Sequence, residues 1–152
     1  MRVNHYKTML GDKGLPVLVK EKSCNYACDR FGTPSAIVQM MRDVYQIHLQ
    51  TEEFVYELCF TTKMKLIGIF EISHGIVNSS FSNAREIFQK ALICGASTIV
   101  IVHNHPSGES EPSELDRRTA KNLHDAGEML GVCVADNIVI CAHEYYSFRE
   151  NE

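Results

Sequence analysis

A single α/β domain with a mixed β-sheet flanked by helices is the fold class this sequence predicts, on three observations. Helical and extended periodicities follow one another along the chain, the pattern that layers helices on a sheet. The 152 residues suit one ordinary domain with a core of its own. A short continuous apolar run, STIVIV at 97–102, is typical of a strand covered on both faces.

Residues 1–32 form an N-terminal arm ahead of a domain placed at 33–150. Within the arm, LPVLVKE (15–21) gives a short strand or extended segment, and 23–32 is polar and cysteine-bearing. Thr33-Pro34 is an N-cap followed by proline at the first helical position. Ile37, Met40, Met41 and Val44 then recur at helical spacing, predicting an amphipathic helix from 34 to about 48 with its methionines in the core. FVYELCF (54–60) and KLIGIFEI (65–72) read as two strands joined by the polar turn TTKM. Asn83 with Glu86 suggests a capping box for a helix whose inward face is Ala84, Ile87, Phe88, Ala91 and Leu92, closed by Gly95. A longer helix spans 114–130, with Leu115, Leu123, Ala126 and Leu130 facing the core and Gly131 ending it. Short strands follow at VCV, IVICA and EYYSF, with ADN (135–137) as a turn between the first two.

Composition narrows the function classes. The net charge is −4, whereas a protein that lives on phosphate backbones usually carries a basic surplus, so DNA is a disfavoured partner. Arg117, Arg118 and Lys121 form a small basic cluster best read as a solvated helix face. No run of about eighteen apolar residues occurs, which excludes a helical membrane span. The start, MRVNHYKTMLGDKG, has no apolar stretch of signal-peptide length. With six cysteines that mostly sit in or beside apolar runs, a reducing cytoplasm is the expected location. Cys24 and Cys28, spaced CxxxC, are read as ordinary thiols in preference to a structural metal knot.

Chemistry concentrates in HNHPSGESEPSELD, residues 103–116. If the strand at 97–102 continues through the motif, alternation puts His103 and His105 on the face of Ile99 and Ile101 and turns Asn104 away. Pro106, Ser107 and Gly108 then turn the chain, and Asp116 falls in the first turn of a helix, where the dipole favours a carboxylate. Two histidines and one carboxylate leave a fourth zinc position open, which is the catalytic pattern. Ser113 and Asp116 have a second reading as a capping box, S-x-x-D. Glu71 stands in an apolar strand, where an ionised carboxylate is costly unless paired or bound. It is either the base beside the metal or a solvent-facing residue at a fraying strand end.

The array of Glu71, His103-x-His105 and Ser113-x-x-Asp116 resembles the JAMM (MPN+) metalloprotease signature. The words HNHPSG, EPSELD, EISHG and NAREIFQKAL are similar to its bacterial RadC-like branch, over roughly residues 33–150. The resemblance implies a JAB/MPN fold like that of the zinc cytidine deaminases. It further implies a zinc ion on His103, His105 and Asp116, Glu71 as general acid/base, and Ser113 steadying the oxyanion. The implied activity is hydrolysis of peptide or isopeptide bonds in a peptide or protein substrate. The branch also carries a historical DNA-repair label, which implies a DNA-associated factor as the alternative; a metal-binding module without turnover is the third. Asp136-Asn137 stands where the branch has Asp-His, and Ala84 where it has proline; neither touches a proposed ligand.

Overall fold

The computed structural model describes residues 1–28, 30–75 and 84–151. Seven strands form one mixed sheet in the order β2-β1-β4-β3-β5-β6-β7. They are β1 (Arg2–Leu10), β2 (Pro16–Asn25), β3 (Glu53–Phe60), β4 (Leu66–Gly75), β5 (Thr98–Asn104), β6 (Cys133–Ile140) and β7 (Tyr145–Ser147). β1 runs parallel to β4, and β5 to β6; every other neighbouring pair is antiparallel. Helix α1 (Pro34–Tyr45) packs on one face, where Ile37, Met40 and Met41 meet Leu58, Val100, Val102 and Ile138. Helices α2 (Ala84–Ile93) and α3 (Glu114–Leu130) cover the other, where Ile87, Phe88 and Leu123 meet Cys59, Phe70, Ile99 and Ile101. A mixed sheet flanked by helices is the architecture the sequence predicts, and both methionines are fully buried. A four-residue helix, α4 (Phe148–Asn151), follows β7.

Helix boundaries follow their caps. Thr33 accepts the Ala36 N–H, and Pro34 supplies the preset first φ. α1 ends at Tyr45, earlier than the periodicity implies, because Gln46 adopts a left-handed φ of 49° and returns its N–H to Arg42 O. A short 3₁₀ turn, Ile47–Leu49, takes up the remainder. The expected Asn83 cap of α2 lies outside the described residues. α3 is rotated relative to expectation. Its buried stripe is Asp116, Thr119, Ala120, Leu123 and Gly127, while Leu115 is 41% and Leu130 48% exposed. Asp116 turns inward, and at about 100° per residue its neighbour Leu115 must turn out.

Residues 135–137 correct the expected turn: β6 runs unbroken through them. Asp136 is tolerated in the strand because its buried carboxylate accepts from Ser147 Oγ at 2.6 Å and Arg149 N at 3.1 Å. The N-terminal arm also has more order than its sequence implies. β1 and β2 form a hairpin, from Arg2 opposite Asn25 to Leu10 opposite Pro16, and β1 continues the sheet through His5–Ile69 and Tyr6–Phe70. His5 is 6% exposed, with Nδ1 3.1 Å from Tyr45 Oη and Nε2 3.3 Å from a Glu21 carboxylate oxygen. A histidine in an inward slot hides the alternation that marks a strand. No helix among the described residues is long and apolar enough to cross a membrane.

Candidate metal centre

β5 is buried along its whole length, with β3 antiparallel on one side and β6 parallel on the other. Residues paired across neighbouring strands share a face, so His103, opposite Val55 and Val139, points with Ile99 and Ile101 towards the α2/α3 layer. β5 stops at Asn104, but the His105 N–H still donates to Ile140 O at 3.1 Å, holding the second histidine against β6. Gly108, at φ 88°, then closes a turn by donating to His105 O. That reversal brings the start of α3 back beside the strand end. Ser113 is its N-cap, and Asp116 lies one turn in, on the buried stripe.

Three side chains converge as a result. His103 Nε2 and His105 Nε2 are 3.1 Å apart, His103 Nε2 is 3.5 Å from Asp116 Oδ1, and His105 Nε2 is 3.5 Å from Asp116 Oδ2. A four-coordinate ion with ligands at 2.0–2.1 Å needs donor separations of about 3.3–3.4 Å, the edge of that tetrahedron. The observed separations of 3.1 and 3.5 Å lie close to that edge, the two longer ones ending on different Asp116 oxygens, so these residues could hold a metal ion. Among the described residues this is the one such group of three histidine, cysteine or carboxylate ligands. Cys24 is exposed and Cys28 donates to Arg30 O, and neither joins a second group of that kind.

The protonation states suit ligation. Burial pushes the His103 imidazole down to about 4, which keeps it neutral with a lone pair to offer. His105 donates from Nδ1 to Glu109 O at 2.9 Å, leaving Nε2 as the atom turned towards Asp116. Its affinity for a proton is raised by the Asp116 carboxylate, with burial acting the other way. Burial also works to raise the Asp116 carboxyl, but His105, His103 and Ser113 together outweigh it and hold the group well below the usual carboxylate range. Ser113 contributes three bonds: its N–H and Oγ–H donate to Asp116 Oδ2 at 2.7 and 2.6 Å, and its Oγ accepts from Asp116 N at 3.1 Å. The capping box and the placement of a ligand oxygen are the same contact.

Glu71 is placed elsewhere, and its expected position beside the ligands is corrected. It pairs with Tyr56, which pairs in turn with Val102, so it faces the α1 side of the sheet, opposite to His103. There its carboxylate is 2.6 Å from His74 Nδ1, and His74 stacks on Phe54. The carboxylate on the histidine face at this end of the sheet is Glu53. It lies two residues before Val55, the partner of His103, and so has the same parity. Glu53 lines a cleft of about 530 Å³ together with His105, Ser113 and Asp116, and its Oε2 is buried without a hydrogen-bond partner. Burial raises its carboxyl; the nearby His105 opposes this and Asp116 adds to it. Sequence reasoning passed over Glu53 because two glutamates opening a strand look like a solvated end. The available signal was parity with Val55 and Glu57, which has meaning only once β3 is known to pair with β5.

Asn104 completes the arrangement. Its Oδ1 accepts from Phe54 N at 2.7 Å and its Nδ2 donates to Glu52 O at 3.0 Å, tying the end of β5 to the residues on either side of Glu53.

Comparison with known proteins agrees with this geometry. A family model described as the RadC-like JAB domain matches residues 31–152. A UPF0758 protein of Thermotoga maritima is 39% identical over 98 residues, covering 64% of this chain and 44% of its own length. One of Alkaliphilus metalliredigens is 38% identical over 121 residues, 80% of this chain and 51% of its own. The chain therefore spans about half the length of the curated relatives it matches. The hairpin of β1 and β2 precedes the matched region, and the donor triangle lies inside it. From residue 31 onwards, this chain belongs to the RadC-like JAB domain family.

Proposed function

We propose that the chain is a zinc-dependent hydrolase of the JAMM type, acting on peptide or isopeptide bonds. The observation that carries this reading is the His103–His105–Asp116 triangle, two of whose members, His105 and Asp116, share a cleft with Glu53, a residue with a buried, unpartnered carboxylate oxygen. Three protein ligands with an open side are the catalytic pattern for zinc, since structural sites are closed by four. When bound, zinc supplies a water whose pKa falls to near neutrality. Glu53, its own proton affinity raised by burial, is the acceptor for that proton and the donor to the leaving amine. This gives Glu53 the role the sequence suggested for Glu71. The Ser113 hydroxyl is the oxyanion donor, turning from Asp116 Oδ2 towards the scissile carbonyl. The substrate is a peptide or protein, and six free cysteines suit a reducing cytoplasm.

Purified at neutral pH without chelator, the protein should carry about one zinc per chain, and His103→Ala or Asp116→Ala should lose it. Glu53→Gln should keep the metal and lower turnover of a peptide library, read as new amino termini, by about 10²–10⁴-fold. Protein that purifies without metal overturns the reading.

One surface favours the DNA-associated alternative. Arg117, Lys121, His124 and Arg149 line a groove of about 630 Å³ between α3, β6 and α4. Against it, Arg117 is paired with Glu111, Lys121 is paired with Asp125, and the chain is acidic overall. Binding to duplex DNA at physiological salt, with a steep salt slope, would decide for the alternative.

A further inference from the structure

The loop between His105 and Ser113 forms one rim of the cleft, and a side chain from a distant turn holds it. Glu109 O, which accepts from His105 Nδ1 at 2.9 Å, lies in this loop. The orientation of the His105 ring therefore depends on where the loop sits. Bonds within the loop are long: the Gly108 N–H donates to His105 O at 3.2 Å, and the Glu109 N–H reaches Ser107 Oγ at 3.5 Å. The next residue is fixed from outside. Glu144 Oε1 accepts from Ser110 Oγ at 2.9 Å and from Ser110 N at 3.3 Å, across 34 residues of chain. Both donors belong to one residue, so the pair sets the direction of the loop as well as its distance.

Glu144 is placed in turn by backbone and by the opposite core layer. It follows β6 in a turn that the Cys141 N–H closes by donating to Glu144 O at 2.9 Å. Arg42 of α1 donates from Nη2 to Cys141 O at 3.0 Å and to Glu144 O at 3.1 Å, tying that turn to the helix across the sheet. The neighbouring Ile140 O takes the His105 N–H at 3.1 Å. The His105 backbone and the carbonyl that orients its ring are thus both referred to one stretch, 140–144.

Taking the His103–His105–Asp116 group as the zinc site proposed above, we infer that Glu144 is a positioning residue for it. Through Ser110 it holds Glu109 O against His105 Nδ1, which presents Nε2 to the ion. A ligating histidine keeps its tautomer and orientation from the acceptor on its other nitrogen. Glu144 does not line the cleft, so it acts through the loop. Without it, the loop and the His105 ring must be ordered when the ion binds, and affinity falls by that ordering.

The test measures zinc affinity of the full chain by competition with a chromophoric chelator, at physiological salt, which screens exposed charges. Glu144→Ala should weaken zinc binding by about 10-fold, the lower end of what losing an outer partner costs a metal site. Glu144→Gln should restore most of the affinity, because its amide oxygen still accepts from Ser110. The double variant Ser110→Ala/Glu144→Ala should lose no more than Glu144→Ala alone, as for two members of one chain of contacts. Zinc affinity in Glu144→Ala equal to that of the wild type, with only the denaturation midpoint lowered, would reduce Glu144 to a structural tie and overturn its positioning role. A loss in Glu144→Gln as large as in Glu144→Ala would assign the effect to charge and overturn it too. Wild-type protein that binds no zinc overturns the zinc reading and the role of Glu144 with it, whereas the variant outcomes bear on Glu144 alone.

Discussion

Asn104 grips β3 on both sides of Glu53, so its amide bears on the cleft without lining it. It is 2% exposed, and Asn104→Ala would leave the Phe54 N–H and the Glu52 carbonyl without their partner. Each backbone group orphaned in the interior costs roughly 1–3 kcal/mol, so urea unfolding should show a loss of a few kcal/mol. A loss under about 0.5 kcal/mol, the size of an ordinary surface change, would mean the clamp is not holding the strand. Ser113→Ala separates two functions of one hydroxyl. As a helix cap its loss costs about 1 kcal/mol, and turnover of the folded fraction stays the same. As an oxyanion donor its loss lowers turnover by about 10²–10³-fold, the outcome expected here. Residues of the site were legible where they are close in sequence: His103, His105 and Asp116 are joined by one strand end, one turn and one helix start. Glu53 was not, because its place depends on β3 lying antiparallel to β5, which no local pattern states.

At the level of elements, Gly127 sets how closely α3 lies against β6. A Cβ there would stand 2.5 Å from Val132 O and 3.1 Å from a Val134 methyl. Glycine to alanine inside a helix normally gains about 1 kcal/mol. Here the obstacle is backbone, which cannot rotate aside, and overpacking of this kind costs about 1–3 kcal/mol. Gly127→Ala should therefore lower the denaturation midpoint, and a raised midpoint would mean that α3 moves away from the sheet freely. The same helix shows why element positions were easier to read than orientations. Its limits follow from Ser113 and Gly131, both visible in the sequence. Its rotation follows from turning Asp116 inward, against the pull of Leu115 and Leu130. In β6, Asp136 looked like a turn residue until its partners Ser147 and Arg149 were in place.

Across the whole molecule, two polar residues on the α2/α3 side of the sheet make stability depend on pH in opposite directions. Burial raises the folded pKa of Glu57 to about 8 from the ordinary 4.5, so the native state holds a proton that the unfolded chain releases. Its contribution is complete below about pH 4.5 and is lost as pH rises through 8. His103 runs the other way. Its folded pKa is lowered to about 4 from 6.5, so its contribution is complete above about 6.5 and is lost as pH falls through 4. Metal-free, reduced protein should thus be most stable between these limits. Each unit of separation is worth about 1.4 kcal/mol, which puts the Glu57 effect at a few kcal/mol. Glu57→Gln isolates it, because an amide of the same shape has nothing to ionise. In urea unfolding with chelator and reductant, the variant should match the wild type near pH 5 and exceed it by a few kcal/mol near pH 8. Parallel stability curves from pH 5 to 8 would mean that Glu57 ionises in the folded chain as readily as in the unfolded one. The costly core carboxyl would then have found a partner in solution.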